Sequence, residues 1–140
     1  MTNGNDALVV VTSAAGMSGQ FAVKALTRRG VNVRGLVRRP EQAVAIERLG
    51  ATTAIGDVRD PDFVASALVG ATAVYHICPR LVDFEVELGR SMIAAASVAK
   101  VRRFVFQSVA HTYIQEMPHH WDKLQAQTLP EPAEIPFAVI

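Results

Sequence analysis

The chain has 140 residues, of which half are hydrophobic and 19% are charged, so a single domain with a buried core is expected over residues 1–140. Its net charge of +1 argues against a nucleic-acid or membrane surface, because phosphate groups are bound by clustered basic side chains. Cys78 is the only cysteine, which excludes an internal disulfide and a cysteine-based zinc site. The sequence shows neither the pattern of a secretory signal nor an apolar run long enough for a transmembrane helix, so a cytoplasmic location is expected.

Strand-like and helix-like segments alternate along the chain. The predicted elements are, in order, a strand at Ala7–Thr12, a helix at Ser18–Arg29, a strand at Val31–Val37, a helix at Pro40–Leu49, a strand at Thr52–Ile55, a helix at Pro61–Val69 capped by Asp60, a strand at Thr72–Cys78, a helix at Val82–Lys100, a strand at Arg103–Gln107, a short helix at Trp121–Leu129 and a strand at Pro136–Ile140. This alternation predicts an α/β fold of three layers, with a parallel sheet of six strands in the order 3-2-1-4-5-6 and helices on both faces.

Two helices carry apolar patterns that predict their packing. In the first helix, Phe21, Ala25 and Leu26 lie on one side. In the long fourth helix, apolar residues at spacings of three and four predict burial against the sheet, and further apolar residues widen this face enough for a partner surface. The first set is Phe84, Leu88, Met92 and Ala95, and the second is Val86 and Ile93.

The segment VVVTSAAGMSG joins the first strand to the first helix and has the form of a phosphate-binding turn. In such turns, backbone N–H groups at the helix N-terminus face a pyrophosphate, and glycines allow the tight approach. Gly16 and Gly19 have the required spacing, but the first glycine is replaced, either by Ala14 in a GxGxxG frame or by Ser13 in a GxxGxxG frame. If the replaced glycine had a positive φ, the replacement costs about 1–2 kcal/mol. The alternative is a tight connection without a ligand.

Arg38 and Arg39 follow the second predicted strand, where an NAD site commonly has an acidic residue for the ribose 2′-hydroxyl. Two guanidinium groups suit a 2′-phosphate instead, because arginine forms forked, charge-assisted bonds to phosphate. The sequence therefore favours NADP(H) over NAD(H). Glu41 leaves a second interpretation open, since it could pair with either arginine on a solvated loop.

Five blocks of the sequence resemble the NmrA-like group of atypical short-chain dehydrogenases/reductases. They are VTSAAGMSG, LVRRPEQ, GDVRDPDFVASALVGATAVYHICP, RRFVFQSVAH and HHWDK, and together they extend over almost all of the chain. Members show VTGATGxxG at the turn, so Ser13 stands for the first glycine and Ala15 for a threonine. The resemblance implies a Rossmann fold that binds a nicotinamide dinucleotide. Short-chain dehydrogenases often dimerise through the helix that corresponds to Val82–Lys100, so the resemblance also implies a homodimer. Members also continue into a substrate-binding portion that this sequence is expected to lack.

The resemblance assigns roles to particular positions. Residues facing the pyrophosphate would be Gly16, Met17, Ser18 and Gly19. Arg38, with Arg39, would contact the 2′-phosphate, and Asp57 and Val58 would border the adenine. Residues on the ribose and nicotinamide side would be Ile77, Cys78, Pro79 and Ser108.

A short-chain dehydrogenase normally uses a Tyr-x-x-x-Lys pair for proton transfer. Lys123 matches the lysine, but His119 stands in the tyrosine position, and Tyr113 does not form the motif. His119 is a candidate proton shuttle or a loop histidine, and Lys123 is a candidate ribose contact or a surface lysine. A metal site at His111, His119 and His120 is disfavoured by their spacing. Cys78 is either a redox-sensitive thiol or a small buried apolar residue.

Three functions remain open. The first, which the missing tyrosine favours, is an NADP(H)-binding regulator that responds to nucleotide occupancy through a protein partner. The second is an NADPH-dependent reductase of quinone-type substrates. The third is a truncated paralogue that binds no nucleotide, which Ser13 and the abrupt end at PFAVI favour.

Overall fold

The computed structural model describes residues 7–80, 82–130 and 133–140. Within these residues the strands β1 to β6 are Leu8–Val11, Asn32–Val37, Thr52–Ile55, Ala73–His76, Arg103–Phe106 and Phe137–Val139. The helices α1 to α5 are Met17–Thr27, Pro40–Glu47, Pro61–Ala67, Glu85–Val98 and Pro118–Gln127. The strands form one six-stranded sheet in the order β3-β2-β1-β4-β5-β6, and every pairing is parallel. The predicted fold class and strand order are confirmed.

Two apolar cores lie on opposite faces of the sheet, because successive side chains of a strand point to opposite sides. One core packs Val10, Phe104 and Phe106 of the sheet against Met92 of α4 and Ala126 of α5. The other core lies beneath α1 and α2, and it contains Val11, Val23, Val37, Ile46 and Ile77. The molecule therefore has three layers, and the carboxyl ends of all the strands meet at one edge.

A proline stands at the first position of three helices, α2, α3 and α5. Pro61 opens α3 directly after Asp60, whose side chain accepts the Asp62 N–H at 3.0 Å. Pro118 opens α5 three residues before the predicted start at Trp121, because a proline at the first helical position has no N–H to lose and a fixed φ. The prediction placed this helix too late because it weighed the apolar pattern above the proline.

The predicted apolar side of α1 is wrong for Phe21 and Ala25, which are exposed, whereas Leu26 packs against the core beneath the helix. Phe21 is 67% exposed, and the buried residues of this helix are Gly19 and Val23. The rotation of the helix is set by Gly19, which packs against the turn at Ser13 and Ala14 and so directs Phe21 away from the sheet.

The long helix α4 buries its apolar face as predicted, with Leu88 and Met92 at 3% and 0% exposure. The suggestion that Ile93 widens an outward surface is wrong, because Ile93 lies in the core and Val86 packs against it. Among the described residues, no helix has the length and apolar character needed to cross a bilayer.

His76 is a fully buried polar residue at the end of β4. Its Nδ1 lies 3.3 Å from Thr12 Oγ1, and this hydroxyl donates its own proton to the Ile77 carbonyl oxygen at 2.9 Å. The ring must therefore donate from Nδ1, and its Nε2 has no hydrogen-bond partner among the described residues. Burial, and secondly the charge of Lys123, lower the pKa of His76 to about 3.

We predict that His76 makes the fold sensitive to mild acid. The pKa of His76 is 6.5 in the unfolded chain and about 3 in the folded chain. The folded state therefore loses no stability to protonation of this residue above pH 6.5. Between these values the unfolded chain binds the extra proton, so the free energy of unfolding drops by up to about 1.4 kcal/mol per pH unit as pH falls. Urea unfolding from pH 7.5 to 4 should show a flatter dependence in His76→Phe than in the wild type. A control, His119→Phe, should keep the wild-type slope, and an unchanged slope in His76→Phe would contradict the prediction.

Candidate functional site

A continuous cleft runs along the carboxyl ends of the strands, made of three adjoining cavities among the described residues. A central cavity of about 440 Å³ lies above β1, a β3-side cavity of about 240 Å³ adjoins it, and a β5-side cavity of about 320 Å³ lies at the other end. Arg38 lines both the central and the β3-side cavities, while Ser18 and Cys78 line both the central and the β5-side cavities. The cleft has the position at which doubly wound sheets bind ligands.

The turn between β1 and α1 places its positive φ at Ser13, which has φ of 49°. This residue therefore stands where a glycine would be unstrained, and the GxxGxxG frame is the one that the backbone adopts. The Ser13 carbonyl accepts the Gly16 N–H at 3.0 Å, and its hydroxyl donates to the Ile77 carbonyl oxygen at 2.8 Å. The hydroxyl bond to β4 offsets part of the backbone strain.

The two glycines of the turn serve different needs. A Cβ at Gly19 would overlap the Ser13 carbonyl oxygen and lie 2.7 Å from Ala14 Cα, so only glycine lets α1 approach the turn this closely. A Cβ at Gly16 would lie 3.3 Å from the same oxygen, and Gly16 itself is exposed to the cleft. Gly16 caps α1 without a side-chain bond, and the first turn of α1 has no acidic residue. The helix N-terminus thus presents its amides and its positive dipole end to the central cavity.

Three charged residues line the β3-side cavity. Arg59 forms a fork onto Asp57, with Nε 3.1 Å from Oδ1 and a terminal nitrogen 2.6 Å from Oδ2. Arg38 is looser, 3.8 Å from Asp57 Oδ2, and its side chain is 72% exposed. Hydrogen bonds from Arg59 hold the pKa of Asp57 at about 2, so this carboxyl is ionised at neutral pH. Arg39 instead pairs with Glu41 at 3.1 Å.

A buried ion pair lies at the β5-side cavity. Lys123 Nζ donates to Glu85 Oε1, and the two side chains are 13% and 5% exposed. Burial, with the nearby Glu85 carboxylate, raises the pKa of Cys78 to about 12, so this thiol stays protonated at neutral pH. Ser108 at the end of β5 donates its hydroxyl proton to Gln127 Oε1 at 2.6 Å. This end of the cleft therefore combines one shielded cation with a neutral thiol and a hydroxyl.

The structure brings together almost all of the candidate residues. Those on the central cavity are Ser13, Gly16, Met17, Ser18, Gly19, Arg38, Ile77, Cys78 and Pro79. Asp57 and Val58 line the β3-side cavity, and Ser108, His119 and Lys123 line the β5-side cavity. Of the described candidates, Arg39 alone lines none of the three.

Sequence reasoning missed Arg59, Phe84 and Glu85, which all line the cleft. Glu85 had a detectable signal, because it precedes Leu88 and Met92 by three and seven positions and so falls on the buried face of α4. An acid on a buried face needs a partner, and Lys123 provides it. Among the described residues, no group of three or more histidine, cysteine or acidic side chains is arranged to hold a metal.

Comparison with known proteins gives matches along most of the chain. The family model described as the NmrA-like family matches residues 5–139. Cinnamoyl-CoA reductase 1 of Oryza sativa subsp. japonica is 38% identical over 119 residues, which are 76% of this chain and 35% of the relative. The NAD(P)H azoreductase of Xenophilus azovorans is 31% identical over 101 residues, 72% of this chain and 35% of the relative.

Solved structures share the fold at lower identity. An NADPH-dependent quinone oxidoreductase from Escherichia coli, complexed with NADPH, matches with a TM-score of 0.83 at 22% identity, over 94% of this chain and 47% of that one. The triphenylmethane reductase of Citrobacter sp., complexed with NADP(H), matches with a TM-score of 0.83 at 20% identity, over 94% of this chain and 48% of that one. The chain thus spans about a third of the curated relatives named here and about half of these solved structures.

We predict that the strain at Ser13 can be measured with two substitutions. Ser13→Ala keeps the positive φ and loses the hydroxyl bond to Ile77, whereas Ser13→Gly loses the bond but removes the strain. The glycine variant should therefore exceed the alanine variant in free energy of unfolding by about 1 kcal/mol, after allowing for the greater flexibility of glycine in the unfolded chain. Urea unfolding of the two variants measures this difference. Equal stabilities would show that the turn is not strained at this position.

We predict that Glu85 and Lys123 stabilise the fold as a pair. Lys123→Met leaves the Glu85 carboxylate buried without its cation, which should lower the free energy of unfolding by about 3–5 kcal/mol. Adding Glu85→Gln removes the isolated charge, so the double variant should recover part of this loss. Urea unfolding of both single variants and the double variant forms the required cycle, and strictly additive losses would contradict the coupling.

Proposed function

The chain belongs to the NmrA-like family, and on this basis we propose that its cleft binds NADP(H) and serves a reductase. The observation that carries the proposal is the continuity of the cleft, which has the amides of α1 in the middle, cationic side chains at one end and Lys123 at the other. The curated relatives named above are reductases, which supports the same class of reaction.

The central cavity would hold the pyrophosphate. Met17, Ser18 and Gly19 form the first turn of α1, whose amides have no partner within a helix and attract anions. Gly16 and Gly19 would allow the ligand to approach the backbone closely. The fit is supported by the helix cap, since Gly16 brings no side chain that would compete for these amides.

The β3-side cavity would hold the adenosine with its 2′-phosphate. Asp57 and Val58 would border the adenine, and the exposed guanidinium of Arg38 would contact the phosphate. The cavity has no unpaired acid at the end of β2 for a ribose 2′-hydroxyl, since the residues there are Arg38 and Arg39. These features support NADP(H) in preference to NAD(H). Arg39 has no place in the proposed contacts, because it pairs with Glu41 and lines none of the three cavities.

The β5-side cavity would hold the nicotinamide between Ile77, Cys78, Pro79 and Ser108. The bound cofactor would supply a hydride to an acceptor such as a quinone, which also takes up one proton. Lys123 uses one N–H for Glu85 and has two further protons for a ribose hydroxyl. His119, one helical turn before Lys123 on the same face of α5, would supply the proton.

A regulatory binding module is the second candidate function. The observation that favours it is that neither tyrosine, both of which lie in the described residues, lines the cleft: Tyr113 is exposed and Tyr75 donates to Gln107. In such a protein, nucleotide occupancy would alter the surface that a partner protein recognises. NADPH binding without oxidation in the presence of a quinone would favour this function over the reductase.

Four finer expectations also belong to the proposal. They are a single dinucleotide-binding domain over residues 1–140, a cytoplasmic location, a regulatory protein partner and a homodimer through α4. For the dimer, Val98 and Val69 are exposed beside an apolar groove of about 650 Å³ between α3 and α4.

We predict that Arg38 selects NADPH over NADH. Arg38→Ala should weaken NADPH binding by about tenfold or more, because a charge-assisted bond to the phosphate is lost, and should change NADH binding little. Isothermal titration of the chain with each nucleotide measures both constants, and Arg48→Ala, directly after the end of α2, is the matched control. Equal loss for both nucleotides would contradict the assignment, and absence of binding to either would leave the non-binding paralogue.

A further inference from the structure

The carboxylate of Asp57 lies between two guanidinium groups, and they hold it unequally. Arg59 contacts both oxygens, with Nε 3.1 Å from Oδ1 and 3.2 Å from Oδ2, and with a terminal nitrogen 2.6 Å from Oδ2. Arg38 approaches only Oδ2, at 3.8 Å. Arg59 therefore satisfies Asp57, and the donors of Arg38 stay available to the cavity.

Arg59 is fixed in this position by two further contacts. Its backbone N–H donates to Asp57 Oδ1 at 2.9 Å, so the loop after β3 closes on itself. Its guanidinium lies over the Phe84 ring, 5.4 Å from the centroid, in the geometry of a cation–π contact. Both Arg59 and Phe84 line the β3-side cavity.

An unpaired carboxylate at this place would oppose a phosphate in two ways. It would repel the negative charge directly, and it would draw Arg38 into an ion pair of its own. The pKa of Asp57 is about 2, so protonation does not remove this charge at neutral pH. Only a second cation can neutralise it while Arg38 binds a ligand.

We infer that Arg59 determines the specificity of the cleft for a phosphorylated adenosine by neutralising Asp57, which leaves Arg38 free to bind the phosphate. Arg59 is thus a positioning residue that acts through Asp57. This inference rests on the proposed NADP(H) function, and it gives the second arginine of the site a different role from the direct phosphate contact expected of Arg39. Arg39 is the natural comparison, since it has the same charge, lies next to Arg38 and pairs with Glu41 outside the cavity.

The test is isothermal titration of the full chain with NADPH and with NADH, expressed as the ratio of the two affinities. Arg59→Gln should lower the preference for NADPH by about three- to fivefold, the upper part of the range measured for exposed charge pairs. Arg39→Gln should stay within about twofold of the wild type, as expected for an exposed charge outside the site. Arg59→Lys, which keeps the charge, should retain most of the preference.

A double variant distinguishes neutralisation of Asp57 by Arg59 from a direct contact between Arg59 and the phosphate. In Asp57→Asn there is no carboxylate to neutralise, so adding Arg59→Gln should change the ratio little. A contact of Asp57 with the adenine is common to both nucleotides and cancels in the ratio. A full loss of preference in the double variant would overturn the role of Asp57, and an Arg59→Gln ratio equal to that of Arg39→Gln would overturn the inference. A wild type that binds neither nucleotide would instead refute the proposed function.

Discussion

The close approach of Gly19 to the turn at Ser13 and Ala14 is the contact on which the cleft depends. It brings the N-terminus of α1 directly above β1 and fixes the rotation of the helix, so that Val23 faces the sheet and Phe21 faces outward. A side chain at Gly19 would push α1 away from the sheet and would separate its amides from the strand ends. One missing Cβ thus determines both the packing of a layer and the position of the helix amides at the cleft.

Two hydroxyl groups directly after β1 form hydrogen bonds to Ile77, which lines the cleft after β4. Thr12 and Ser13 both donate to the Ile77 carbonyl oxygen, and Thr12 also accepts the Ile77 N–H at 2.8 Å. Side chains thereby continue the pairing of β1 with β4 beyond the last strand residue. Serine at the position of the first glycine is strained by its positive φ, but it gains a side-chain hydrogen bond to the Ile77 carbonyl oxygen that a glycine could not form.

Much of the fold could be predicted because its signals are local. Alternating strands and helices predict right-handed crossovers in a parallel sheet, and the phosphate-binding turn after the first of six strands predicts the order 3-2-1-4-5-6. Arg38, which follows the second strand, was found from the same local signals, whereas Ser108 was implied only by the family resemblance. Pairs of residues that are distant in sequence could not be predicted, because no local pattern joins Glu85 at the start of α4 to Lys123 on α5. Nor could residue types show which of Arg39 and Arg59 enters the cavity, since side-chain direction depends on the ion pair that each one forms.

The two ends of the cleft differ in how readily their charges can change during evolution. Asp57 and Arg59 are about a third and a half exposed, so altering either costs the fold little and acts mainly on ligand charge. Glu85 and Lys123 are shielded, so changing one without the other leaves an isolated charge in the core. The proposed cofactor selectivity can therefore vary at the β3 end one residue at a time. At the β5 end, removing the charge of Lys123 requires a matching change at Glu85, so this cation is retained more strictly than the exposed Arg80, which lines the same cavity.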